Sequence, residues 1–245
     1  MTGHQEEHAP ARLLVIQPDE VGRLDDFDTW LREDGVQIRT VRPYAGESVP
    51  AEVAEDAVLV LGGRMSSLDD AEYPWLEDIR VLLRAACDRD QPVLGICLGA
   101  QLMAQAHGGR VARGHNGVEA GLIRVHWRAQ AGADPLVGQL ADPFPAAAFH
   151  GDAVEVLPPG AQWLAESAAY PHQAFRVGRC SWGFQFHPEV NAQSMWHWWS
   201  LREQDDPDSA RELRAGVAEF DREQATVRVG TRELARRFAG MIGRS

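Results

Sequence analysis

"PVLGICLGAQLMA", Pro92 to Ala104, places a cysteine where a short apolar run gives way to a helical pattern, with Gly95 and Gly99 flanking Cys97 at two residues on either side. A strand that ends at Ile96 and a helix that begins at Leu98 leave one residue for the reversal. That is a sharp strand-to-helix turn, the cysteine counterpart of the hydrolase elbow G-x-S-x-G, and the glycines tolerate the crowding it creates. A thiol there sits at a helix amino terminus, whose partial positive charge favours thiolate, and the Leu98 amide is left free to donate to an oxyanion. The same five residues also suit a buried cysteine in a Rossmann-like first turn, and alone they do not separate the two.

Working outward, Arg12 to Pro18, Val36 to Tyr44, Ala57 to Gly63 and Pro92 to Ile96 read as short strands, with helical patterns at Gly22 to Asp34 and Ala71 to Asp90. Strands alternating with helices imply a parallel sheet with right-handed crossovers. After Gly109 the texture shifts to the shorter strand-like pieces "VEAGLIRVHW", "AAFHGDAVEVLP", "AQWLAESA" and "HQAFRVGRCSWGFQFHP", expected to return, partly antiparallel, to the main sheet. From Asn191 onward three helices are expected, with "DDPD" breaking the first two. The predicted fold is α/β: a mostly parallel central sheet flanked by helices in three layers, flavodoxin-like or Rossmann-like, with extra antiparallel strands and a C-terminal helical extension. Residues 1–11 are expected to be loosely ordered, 12–190 to form one domain, and 191–245 to pack on it.

The 245-residue chain carries a formal charge of −12, and its 24 cationic residues are all arginine. Without lysine there is no Schiff-base nucleophile and no Walker-type phosphate lysine, and a net acidic protein lacks general attraction to nucleic acid. Cys87, Cys97 and Cys180 are an odd number without a CxxC pair, which argues against a disulfide framework or a cysteine-rich zinc site. No run approaches the ~18 apolar residues of a membrane span, and the polar, acidic amino terminus does not read as a secretory signal. A cytoplasmic protein with no membrane partner is expected.

Two further stretches bear on Cys97. In "FQFHPEV", Phe184 to Val190, the proline keeps His187 and Glu189 from lying on adjacent turns of one helix, and a carboxylate held near an imidazole orients it and raises its basicity. A surface pair or a metal pair would show the same spacing. In "LVLGGRMSS" a strand ends in Gly62 and Gly63. The carboxyl ends of parallel strands form the ligand crevice, so the Gly63 amide is a candidate second oxyanion donor, although paired glycines also make ordinary turns.

In order and combination these motifs resemble a class I, triad-type glutamine amidotransferase, most closely the stand-alone branch similar to the amidotransferase domain of GMP synthase. The resemblance spans Arg12 to Val190 and rests on "LGGRMSS", "GICLGAQ", "FHGDAVEVLPPGAQWLAES" and "FQFHPE". It implies that Cys97 attacks the γ-carboxamide carbon of glutamine or another γ-glutamyl compound, that His187 moves the proton, and that Glu189 orients the imidazole. The amides of Gly63 and Leu98 would hold the oxyanion, where one donor typically contributes ~3 kcal/mol. By the same resemblance Gln101, Gly62, Asn116, His150 and Asp152 belong to the substrate pocket, Glu119 lies in a segment that closes over the glutamyl group, and neither cofactor nor metal is needed. Related hydrolases that place histidine directly after the cysteine fit less well, since Leu98 stands there.

The residues after Val190 are too few for an ATP-pyrophosphatase fold. That divides the functional expectation between a stand-alone γ-glutamyl hydrolase and a glutaminase subunit serving a separate synthase partner, with a non-catalytic binding module as a third reading. Tyr73, Trp75 and the tryptophans of "MWHWWS" are expected to be packing residues, and Cys87 and Cys180 ordinary apolar positions.

Overall fold

Alternation along β1 (Arg12–Ile16) sends Leu13 and Val15 to one face and Leu14 and Ile16 to the other, and all four are fully buried. A strand buried on both sides needs helices over both faces, as in a parallel α/β sheet. The computed structural model, which describes residues 10–243, has that arrangement. The expectation for residues 1–11 falls almost wholly outside the described residues.

The parallel half of the sheet consists of β1, β2 (Gln37–Val41), β3 (Ala57–Val60) and β4 (Val93–Ile96). Helices α1 (Asp26–Glu33) and α2 (Trp75–Asp88) join β1 to β2 and β3 to β4, and α3 (Leu98–Ala106) leads out of β4. Beyond them, β5 (Arg110–Arg113) and β8 (Asp152–Val156) form a small antiparallel sheet of their own. The remaining strands, β6 (Glu119–Trp127), β7 (Phe144–His150), β9 (Gln162–Glu166), β10 (Ala174–Val177) and β11 (Ser181–Phe184), complete a main sheet ordered β2-β1-β3-β4-β11-β10-β9-β6-β7. All of these joins are antiparallel except one: β11 runs parallel to β4, pairing Phe184 with Ile96. The chain thus returns with its carboxyl end beside the strand that carries Cys97.

The carboxyl-terminal part forms α4 (Ala192–Asp205) and α5 (Pro207–Ala239). Phe27, Leu31, Leu234 and Phe238 of α1 and α5 cover one face of the sheet, and Leu76, Ile79, Leu102 and Met103 of α2 and α3 cover the other. Asn191 and Asp206 cap α4 and α5 by accepting the amides of Ser194 at 3.0 Å and Ser209 at 3.2 Å, with Pro207 preset at the first turn of α5. The "DDPD" break is therefore real, but the other two expected helices are one. Val227 and Thr231 are buried and the Thr231 hydroxyl donates to the Val227 carbonyl at 3.3 Å, so "ATVRVG" continues the helix despite its β-branched residues and glycine. Tertiary packing overrides local propensity there.

α5 lies backbone to backbone on β6. Gly121 holds φ +94°, and a Cβ on it would come within 2.2 Å of the Gly216 carbonyl carbon in α5. Gly121→Ala is expected to lose about 1–3 kcal/mol of stability by overpacking, measured by denaturant unfolding, and an unchanged midpoint would contradict this account of how α5 is seated.

Candidate active site

Cys97 occupies the elbow between β4 and α3 at φ 50° and ψ −105°, a region that non-glycine residues rarely adopt. Its amide donates to the Phe184 carbonyl at 2.7 Å, and its carbonyl accepts the Gln101 amide at 3.0 Å to start the helix. The flanking glycines have a specific cause. A Cβ on Gly99 would sit 2.3 Å from the Val60 carbonyl oxygen, and one on Gly95 would sit 2.7 Å from the Gly99 backbone. The first turn of α3 rests directly on β3 and β4.

β3, next to β4, leads through Leu61 into Gly62 and Gly63. A Cβ on Gly62 would lie 3.0 Å from His187 Cε1 and 3.5 Å from Cys97 Cβ, and one on Gly63 would lie 3.0 Å from the Leu98 side chain. The paired glycines therefore leave room for the thiol and imidazole together. Leu98 is the first residue of α3, so its amide has no acceptor within the helix.

His187 follows β11. Its amide donates to the Ala147 carbonyl at 2.7 Å, fixing the backbone, and its Nδ1 bonds Glu189 Oε1 at 2.8 Å. Both side chains are almost fully buried, and the Cys97 thiol is the other hydrogen-bonding neighbour of the ring. Burial works to remove the imidazole proton, but the Glu189 carboxylate, the Cys97 sulfur and the hydrogen bonds to both outweigh it and raise His187 to about 10. The Asp26 amide donates to the Glu189 carbonyl at 3.1 Å. Nearby, Asp25 is itself pushed up, chiefly by burial and further by the Glu189 charge, against hydrogen bonds from Ser194 and Asn191.

Cys97 and His187 open onto a cleft of about 650 Å³. Gly62, Gly63, Gln101, His150 and Asp152 also line it, whereas Asn116 donates to the Ala169 carbonyl and is not among the lining residues. Gln101 is buried with its amide group committed: Nε2 donates to the Asp152 carbonyl at 3.0 Å and to Gln185 Oε1 at 3.2 Å. His150 is tied through Nδ1 to the Asp152 carbonyl at 2.9 Å and through Nε2 to Glu119 at 3.0 Å. Glu119 is the hub of a buried network that also takes Ser167 Oγ at 2.7 Å and Gln173 Nε2 at 2.6 Å. Both residues thus brace the wall.

Sequence reasoning missed the contribution of α4. Trp198 packs edge-on against the His187 ring, with centroids 4.8 Å apart, and its indole nitrogen donates to the Val21 carbonyl at 3.1 Å. Leu201, Arg202 and Asp205 line the same cleft. Their spacing from Trp198 at i+3, i+4 and i+7 was the available signal for one helix face. Cys87 and Cys180 do not border the cleft. Both pack against the core as expected of apolar positions; the neighbouring His107 pulls the Cys87 thiol down against burial, and burial pushes Cys180 up to about 11. Among the described residues, no group of three His, Cys, Asp or Glu side chains could hold a metal ion, and no helix is long and apolar enough to cross a membrane.

A cysteine elbow beside a histidine–carboxylate pair, at the carboxyl edge of a parallel sheet, is the layout of a nucleophile, base and orienter set. Residues 28–197 match the family model of class-I glutamine amidotransferase, and the chain belongs to that family. It is 35% identical over 161 residues to a subunit of the glutamine-hydrolyzing GMP synthase of Natronomonas pharaonis, covering 65% of this chain and 78% of that protein. It is 31% identical over 179 residues to the glutamine amidotransferase-like protein YfeJ of Salmonella typhimurium, covering 68% and 70%. Among solved structures, a glutamine amidotransferase from Thermotoga maritima matches with a TM-score of 0.83 at 27% identity, over 95% of this chain and 99% of that one. One from Methylobacillus flagellatus gives 0.83 at 25%, over 97% of each. These structural matches extend through the carboxyl-terminal helices, which the family model leaves out.

Because the Glu189 carboxylate favours the protonated ring, its removal has a defined sign. Glu189→Gln is expected to bring the His187 titration down from about 10 by about 1–3 pH units, followed by NMR of the ring carbon-bound protons. A titration that stays in place would show that Glu189 does not hold the proton.

Proposed function

We propose that this protein is a cysteine-dependent γ-glutamyl amide hydrolase in which Cys97, His187 and Glu189 act as the triad. The observation that carries the reading is the convergence of three separate strand ends, those of β3, β4 and β11, on one thiol–imidazole–carboxylate line at the floor of the cleft.

Cys97 Sγ attacks the γ-carbonyl carbon of the glutamyl group, and its proton resides on His187. The carbonyl oxygen takes the negative charge toward the amides of Gly63 and Leu98. On collapse the C–N bond breaks, His187 gives its proton to the departing nitrogen, and a glutamyl thioester remains on Cys97. Water, relieved of a proton by His187, then attacks the thioester, releasing glutamate and restoring the thiol. Glu189 stabilises the imidazolium at each stage and keeps its own charge. Gly62 gives the imidazole its space. Gln101 presents only its carbonyl oxygen to the glutamyl end, since its amide group is taken, while Asp152 lines the pocket beside it and His150 braces that wall. Asn116 is proposed as a loop support.

A second reading has support of its own. Relatives named as subunits of a glutamine-hydrolyzing GMP synthase favour a glutaminase component that passes ammonia to a synthase partner. The two readings differ in whether the isolated chain turns over. Purified protein incubated with free glutamine and a panel of γ-glutamyl amides is expected to release glutamate from at least one amide, with a loss of about 10³-fold or more in Cys97→Ala. Silence toward every amide, with activity appearing only alongside a co-purifying synthase, would select the synthase-partner reading. Equal glutamate release by the native and Cys97→Ala proteins would exclude both.

A further inference from the structure

The imidazole that protonates the leaving nitrogen must face the leaving group, so the element that lines the cleft beside His187 borders that group. Here it is α4. Trp198 covers the His187 ring and also meets Phe149 edge-on, with centroids 6.1 Å apart. One helical turn further along the same face come Leu201 and Arg202, roughly 6 Å along the axis from Trp198. Opposite them the loop after β3 brings Met65 and Leu68 to the cleft, and Leu68 is 57% exposed, one of the few large apolar side chains left in solvent. The family match ends at residue 197. Trp198, Leu201 and Arg202 lie just past the residues that the family model matches.

Three guanidiniums border the cleft, and their positions distinguish them. Arg64 is forked onto Asp19, at 2.9 Å and 3.0 Å, and so is neutralised from behind. Arg113 ends β5 opposite Asp152, whose carbonyl binds Gln101, which places it toward the glutamyl end. Arg202 is likewise ion-paired, with Asp206 at 3.1 Å, and bonds Ser209 through Nε and Nη2; as in Arg64, its Nη1 has no protein acceptor among the described residues. It alone stands on the face of α4 that carries Trp198, which covers the His187 ring.

We propose that Arg202, with Leu201, Met65 and Leu68, forms a leaving-group subsite that takes the carboxylate and apolar side chain of an α-amino acid, making the preferred substrate a γ-glutamyl dipeptide. This rests on the γ-glutamyl hydrolase reading and deepens it. Arg202 is a specificity residue here and takes no part in bond breaking.

Binding to the Cys97→Ala protein tests the subsite separately from catalysis. Calorimetric titration compares γ-glutamyl-leucine with γ-glutamyl-3-methylbutylamide, the same amine without its carboxylate, and with γ-glutamyl-1,5-diaminopentane, which ends in an ammonium. The dipeptide is expected to bind about 10–100-fold more tightly than the 3-methylbutylamide, and adding Arg202→Gln should bring the two within about 2-fold. Arg202 also touches the cap of α5, so Asp206→Asn serves as the control: it keeps a competent capping residue and the guanidinium, and the preference should persist. Equal binding of the two amides, tighter binding of the ammonium-ended one, no measurable binding of the dipeptide, or a preference that survives Arg202→Gln would each overturn the subsite. If the native protein hydrolyses neither these three nor any other amide of the panel, the hydrolase reading fails, while the order of affinities still decides the subsite.

Discussion

The site depends on a single backbone constraint, the positive φ at Cys97. Strained residues of this kind typically cost ~1–3 kcal/mol and persist only when their surroundings leave no alternative. Here the surroundings are strands. The Cys97 amide is held by β11, and the turn that follows is pressed against the Val60 carbonyl by a residue that can only be glycine. Because β4 lies between β3 and β11 with all three parallel, their carboxyl ends emerge together. The paired glycines Gly62 and Gly63 and the histidine arrive beside the thiol as a consequence of strand order, without a loop having to search for it.

The second organising feature is how charge is handled in a dry place. His187 is almost fully buried, which by itself would strip its proton, yet the carboxylate beside it and the sulfur ahead of it keep the ring protonated to about 10. Trp198 closes the remaining side of the ring, and excluding water there strengthens the very interactions that overcome burial. The cost appears at Asp25, a carboxyl driven toward its neutral form by burial and by the neighbouring Glu189 charge.

Much of this was legible in the chain. The β-rich runs at Arg12, Ala57 and Pro92 stand out because strands buried on both faces are apolar throughout, whereas the edge run at Val36 shows itself by β-branched residues among polar ones, and the elbow is legible because few other needs explain glycines at both Gly95 and Gly99. The histidine and glutamate of "FHPE" declare themselves by proximity. The unread parts depend on contacts distant in sequence. Trp198 looks like packing until β11 brings His187 beneath it. His150 and Glu119 look like substrate ligands until their partners turn out to be each other. Glycine and β-branched residues near Val227 suggest a helix break until the core they pack into is known.

The contact between Gly121 and Gly216 has a mechanical consequence. Two backbones that touch without side chains between them cannot slide past one another, since a step of one residue would thrust a side chain into the gap. α5 is in that sense indexed to β6, as a detent fixes the position of a shaft. Asp206 couples that fixed helix to α4, because one of its oxygens begins α5 and the other holds Arg202. The aperture of the cleft is therefore set by a pair of glycines that contribute nothing to its lining.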